Sequence, residues 1–193
     1  MNHTAAFLTS VILSLAVAEA KPLRVFILAG QSNMEGPANI STFDYIGDDP
    51  STVPMLRMMR GADRKPAVAE GAWISYITGA DDRNFELHGK LTAGYGSMWG
   101  LDPSKPGDKI GPEFTFGLTM DAAFDEPVLV IKAAWGGKSL HTDFRPPGAG
   151  PYELSSFQRE NYPKQEGHGI PKDFDQWKAD KAKATGHYYR LMM

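Results

Sequence analysis

The chain has 193 residues, of which 42% are hydrophobic and 22% charged. That is the size and make-up of one folded domain with a substantial core, and it excludes wholesale disorder. Twenty Lys and Arg stand against 23 Asp and Glu, a net charge of -3, so there is no basic excess to hold nucleic acid. Cysteine is absent, which excludes a disulfide framework, a thiol nucleophile and a Cys-ligated metal.

Residues 1–20 read as a segment outside the fold. An apolar run from Ala5 to Ala18, broken only by Thr9, Ser10 and Ser14, meets the small-x-small pattern Ala18-Glu19-Ala20. Such a run is short for a bilayer span, which takes about 20 apolar residues. It predicts an export signal cleaved after Ala20, hence a secreted or periplasmic protein without stable membrane association. The positive n-region is weak, and the alternatives are a buried first helix or an uncleaved anchor.

The next element is Arg24-Val25-Phe26-Ile27-Leu28-Ala29, closed by Gly30. Its apolar, β-branched run predicts a buried, central parallel strand. Residues 36–71 carry Gly, Pro and Asp with little periodicity and read as loop. Ala72–Ile77 is a weaker strand candidate. Pro112 suits the first position of a helix, and Glu113 complements its dipole. Phe114, Leu118 and Ala122 recur at helical spacing, with Met120 and Phe124 widening the stripe. Val128–Ala134 is a second buried strand, ending at Trp135-Gly136-Gly137. Strand, helix and strand predict a βαβ unit and a layered α/β fold.

Residues 145–172 are rich in Pro and Gly, and loops of such length often shape binding sites. Asp173 and Gln176 have the spacing of a helix cap, with Gly186 interrupting the helix that follows. Two good strands and one weak one make a thin sheet beside the usual 4–6. The expectation is therefore an α/β domain incomplete at its C-terminal end.

Chemistry concentrates in Gly30-Gln31-Ser32-Asn33-Met34-Glu35-Gly36, directly after the first strand. Ligands of open parallel sheets bind beyond the carboxyl ends of the strands. Ser32 on that turn has the placement of a nucleophile whose own N–H faces the oxyanion it creates. Equally, these residues suit a plain strand-to-helix turn, with Ser32 as a cap and Asn33 as a turn former. No phosphate-cradling glycine pattern is present.

Val25 to Gly36 resembles the first block of the sialate O-acetylesterase-like domain, which includes carbohydrate esterase family 6 and belongs to the SGNH (GDSL-type) hydrolase superfamily. Ile110-Gly111-Pro112-Glu113-Phe114 resembles its second block. Val130 to Leu140, with Trp135-Gly136-Gly137-Lys138-Ser139, resembles its next strand and glycine turn. The resemblance spans roughly residues 24–145.

It implies a three-layer, flavodoxin-like SGNH fold around a parallel sheet, with residues 21–193 as the N-terminal part of such a domain. It implies a serine esterase removing O-acetyl groups from a carbohydrate of the acetylxylan or sialate type. Ser32 would be the nucleophile, and the Ser32 and Gly111 amides the oxyanion donors. Gln31 and Asn33 would line the pocket or hold the turn. Lys138 and Ser139 would touch substrate or form a structural turn. Glu113 would bond near the oxyanion loop or, as we favour, simply complement the helix dipole. No cofactor or metal is implied, and the substrate side calls for an acetylated carbohydrate and no nucleic acid. Sugar contacts would come from Trp73, Tyr76, Trp99 or Trp135, although core packing is the safer prior for each.

The family's late Asp-x-x-His, source of the general base and its orienting carboxylate, occurs nowhere in these 193 residues. Tyr162-Pro163-Lys164-Gln165-Glu166-Gly167 only superficially matches its Gln-bearing block. His141 with Asp143 is the nearest substitute, and an exposed loop histidine is the better reading. The expected base is a histidine outside these residues. The rival expectation is a truncated or degenerate relative that at most binds carbohydrate.

Overall fold

The computed structural model describes residues 20–80, 83–98, 102, 104–164 and 173–193. Residues 1–19 of the expected leader at 1–20 lie outside them, as do Trp99 and Gln165–Gly167. The fold is mixed α/β, with a central, mostly parallel sheet flanked by helices, in keeping with an SGNH-like architecture.

Strand β1 (Arg24–Gly30) leads into the one-turn helix α1 (Ser32–Glu35) and the short strand β2 (Ala38–Asn39). Two 3-10 turns and helix α2 (Val53–Met59) follow, inside the stretch expected to be loop. Pro54 and a length of seven residues hid α2 from periodicity. Strand β3 (Val68–Ala80) is far longer than the weak candidate within it. It pairs antiparallel with β4 (Arg83–Thr92), a strand not anticipated from the sequence. Strand β5 (Lys109–Ile110), helix α3 (Pro112–Ala123) and strand β6 (Val128–Ala134) complete the core. Helices α4 (Ser156–Asn161), α5 (Phe174–Ala184) and α6 (His187–Met192) close the chain.

The sheet order is β1-β6-β3-β4. Strand β6 runs parallel to both neighbours, Arg24 and Ala72 each standing opposite Val128. The central strand is therefore β6. Strand β1, expected to be central, is an edge strand among the described residues. One of its faces packs: Phe26 meets Phe116 edge-on at 5.3 Å and Phe124 at 6.1 Å, both from α3 or its end. The other face leaves Val25 and Ile27 49% and 62% exposed. A continuous apolar run predicts a strand but does not say how many of its faces are covered.

Alternation, period two, sorts the sheet. Phe26 and Leu28, Val128 and Val130, and Ile74 and Tyr76 share the face under α3, whose Phe114 and Leu118 are buried. Gly117 lets α3 come close, since a Cβ there would stand 2.1 Å from Leu91 Cδ2. Ala122, expected in the stripe, is exposed. The opposite face is covered near the strand ends by Trp135, Phe144 and Tyr188, with Ile77, Leu191 and Met192 around them. Gly186 (φ 73°) breaks the tail helix as expected, and Asp173 caps α5 through the amides of Asp175 and Gln176.

Candidate active site

The segment after β1 turns at once. Gln31 caps α1, and its carbonyl accepts from the amides of Met34 (2.7 Å) and Glu35 (2.9 Å). Ser32 is the first helical residue, so its N–H has no acceptor within the helix. Gln31, Ser32 and Asn33 are exposed, and no protein group among the described residues bonds their side chains. Sequence and structure agree that this turn stands at the carboxyl end of a parallel pair, because Gly30 pairs with Ala134.

Two further segments converge on the turn. The β2–β5 pairing joins Ala38 to Ile110 and Asn39 to Lys109, which carries Gly111 to the base of α1. Gly36 (φ 81°) passes so close that a Cβ there would lie 2.0 Å from Gly111 Cα. The third segment is the turn after β6. The Trp135 amide donates to the Gly30 carbonyl at 3.3 Å, and a Cβ on Gly136 would lie 2.9 Å from Glu35 Oε2. Residues distant in sequence thus converge on the turn that carries Ser32.

Beneath the turn lies a buried ion pair. Lys132 Nζ on β6 donates to Glu113 Oε2 (2.6 Å), to the Tyr95 carbonyl (2.6 Å) and to the Glu35 carbonyl (2.9 Å). Three acceptors match the three protons of an ammonium group. The ammonium also sits 4.2 Å from the centre of the Tyr76 ring. Both members of the pair are wholly buried. Burial pushes Glu113 up and Lys132 down from their ordinary values, and each opposes the other's shift. Burial also raises Glu35, held back by Lys132, and raises the Tyr76 phenol.

Glu113 does more than complement a dipole. Its Oε1 accepts the Gly111 N–H at 2.9 Å. The hydrogen-bond reading of Glu113 is the one observed, and the dipole-only reading is corrected. The bond also means that the Gly111 amide, expected to point at an oxyanion, is already engaged in this conformation.

A family model for carbohydrate esterases, the sialic acid-specific acetylesterases, matches residues 22–165. The chain belongs to that family. The match covers well over half of the 193 residues and takes in all three converging segments of the esterase fold. No curated protein and no solved structure matches the chain.

Other expected site residues of this esterase-family chain sit less centrally. Lys138 Nζ lies 4.8 Å from the Tyr188 ring centre. Ser139 bonds Thr142 Oγ1 at 2.6 Å, and its N–H donates to Asp143 Oδ2 at 2.9 Å. Both have intramolecular neighbours in this conformation. Asp143 Oδ2 also accepts from Thr142 Oγ1, whereas His141 packs on Tyr152 (5.0 Å). The two therefore form no relay here. Tyr76 and Trp135 are core residues, Trp135 donating to Asn84 Oδ1 at 3.0 Å. Trp73 pairs with Leu129 near the start of β6, about 20 Å from Ser32 at roughly 3.3 Å per strand residue. It belongs to the far end of the sheet.

Sequence reading missed Lys132, Glu35 and Tyr95. The signal for Lys132 was present: a charge at an inward position of an apolar strand requires a buried partner. Among the described residues there is no metal-competent cluster of His, Cys, Asp and Glu, and no helix long and apolar enough to cross a membrane.

Proposed function

We propose that the chain is a serine ester hydrolase that removes O-acetyl groups from carbohydrate, of the acetylxylan or sialate type. The observation that carries this reading is an exposed Ser32 at the carboxyl end of β1, with the Gly111 and Gly136 segments drawn against its turn. Membership of the acetylesterase family supplies the bond class.

In this reading Ser32 Oγ attacks the acetyl carbonyl carbon. The oxyanion lies against the Ser32 N–H, which the first helical position leaves free. A base removes the seryl proton and returns it to the departing sugar oxygen. Water then attacks the acetyl-serine, acetate leaves, and the serine is restored. Gln31 and Asn33, exposed on either side of the nucleophile, contact the sugar. Residues 21–193 act as the esterase unit after removal of an export leader. The exposed, irregular stretch at Ala20–Leu23 ahead of β1 offers a site for that cleavage.

A second reading is favoured by two specific observations. The Gly111 amide is held by Glu113, and His141 is not coupled to Asp143. A chain with this arrangement binds acetylated carbohydrate without turning it over. The test is hydrolysis of p-nitrophenyl acetate and acetylated xylan by the chain and by Ser32→Ala, with mass spectrometry of the peptide carrying Ser32. A serine-dependent rate and an acetyl adduct on Ser32 support hydrolysis. Equal rates from the two proteins reject it and leave the binding reading.

A further inference from the structure

We propose that Lys132 and Glu113 are positioning residues for the nucleophile turn, acting as an internal ionic strut rather than only as core filling. This rests on the hydrolase reading for its kinetic consequence, but its structural consequence is independent of it. A buried ion pair is often no more stabilising than apolar groups of equal volume, because both charges must leave water. Its presence in an otherwise apolar core therefore asks for another consequence.

The geometry supplies one. Lys132 directs two of its three protons to backbone carbonyls: Glu35 at the end of the nucleophile helix, and Tyr95 in the loop whose Ser97 amide donates to the Gly36 carbonyl at 2.9 Å. The second oxygen of Glu113 holds the Gly111 amide, at the closest approach of that segment to Gly36. One ion pair thus fixes the backbone of α1, the segment after β4 and the start of α3. Helix α1 is a single turn, too short to hold its own shape in water. Its orientation has to be imposed from below, and the Lys132 ammonium is the charged group that reaches it.

Two variants separate positioning from packing. Lys132→Met leaves Glu113 without its counter-charge and is expected to lower stability as well as activity. The double variant Glu113→Gln, Lys132→Met removes both charges and keeps an acceptor for the Gly111 amide, so much of the stability returns. It still cannot hold the Glu35 and Tyr95 carbonyls. Hydrogen–deuterium exchange over residues 31–36 and 94–97 is the activity-independent readout. In the folded double variant, exchange in those segments is expected to speed up while exchange in β3 and β6 stays as in the parent. With p-nitrophenyl acetate, kcat falls about 100-fold, the scale of a displacement near 1 Å, with KM little changed. A folded double variant with parental exchange in both segments overturns the proposal, as does parental kcat where the parent is active. If the parent and Ser32→Ala hydrolyse at the same rate, the hydrolase reading fails, and exchange still decides the role of the strut.

Discussion

Gly36 and Gly111 touch backbone to backbone: a Cβ on Gly36 would stand 2.0 Å from the Cα of Gly111 and 2.4 Å from the carbonyl oxygen of Ile110. The contact brings a helix start from mid-chain against the turn that follows the first strand. It has a built-in control. Gly137 also has a positive φ (70°), yet nothing lies within 4 Å of where its Cβ would be. Gly137→Ala should cost only the left-handed backbone penalty, about 1–2 kcal/mol. Gly36→Ala should cost clearly more, because backbone must move, and should also lower any Ser32-dependent hydrolysis. Urea unfolding of the two variants side by side checks this, and equal midpoints would contradict the close approach.

Ser32→Ala should leave stability unchanged within about 0.5 kcal/mol, since the side chain is exposed and caps nothing. A serine acting mainly as a helix cap would instead cost about 1 kcal/mol on removal. Thermal unfolding distinguishes the two, independently of any activity measurement.

Glu35 carries a pH signature. Burial raises its folded-state value above that of the unfolded chain, so the folded form favours the protonated acid. The folded state is thus fully supported below the ordinary carboxylate range and loses that support as the acid ionises. Glu35→Gln should therefore gain stability relative to the parent as pH rises from about 4 to about 7. Paired urea titrations across that range should show the gap opening upward in pH. A gap that is constant, or that closes as pH rises, would show that the carboxyl is not desolvated.

Trp73→Ala should leave hydrolysis of acetylated xylan unaltered, because the indole lies at the opposite end of the sheet from Ser32. It should cost stability modestly, since Lys90 Nζ sits 3.7 Å from the ring centre and exposed contacts of this kind are worth about 0.5–1 kcal/mol. Loss of kcat/KM on the polymer alone would instead make Trp73 part of an extended sugar track.

Much of this fold was legible in the residues. The strands at Arg24–Gly30 and Val128–Ala134 announced themselves by mostly apolar, β-branched runs, and Pro112 marked the first residue of α3. Strand β4 did not, for a physical reason. Phe85, Leu87, Gly89 and Leu91 take one face while Asn84, Glu86, His88 and Lys90 take the other, so polar residues fill every second position and only the alternation betrays the strand. The Ser32 turn was visible because its motif is a run of adjacent residues. The strut was not, because it joins Glu113, Lys132 and two carbonyls that are neighbours only after the sheet has formed. The engaged Gly111 amide was hidden likewise, since a side chain two residues ahead folds back onto it.

Lys132 has one more use. Its amine is sealed from solvent, whereas the side chains of Lys65 and Lys105 are 80% and 72% exposed. An acylating reagent will mark those two at once and reach Lys132 only when the sheet parts from the turn above it. The lag between them makes a single interior amine a clock for breathing at the site, readable from mass alone.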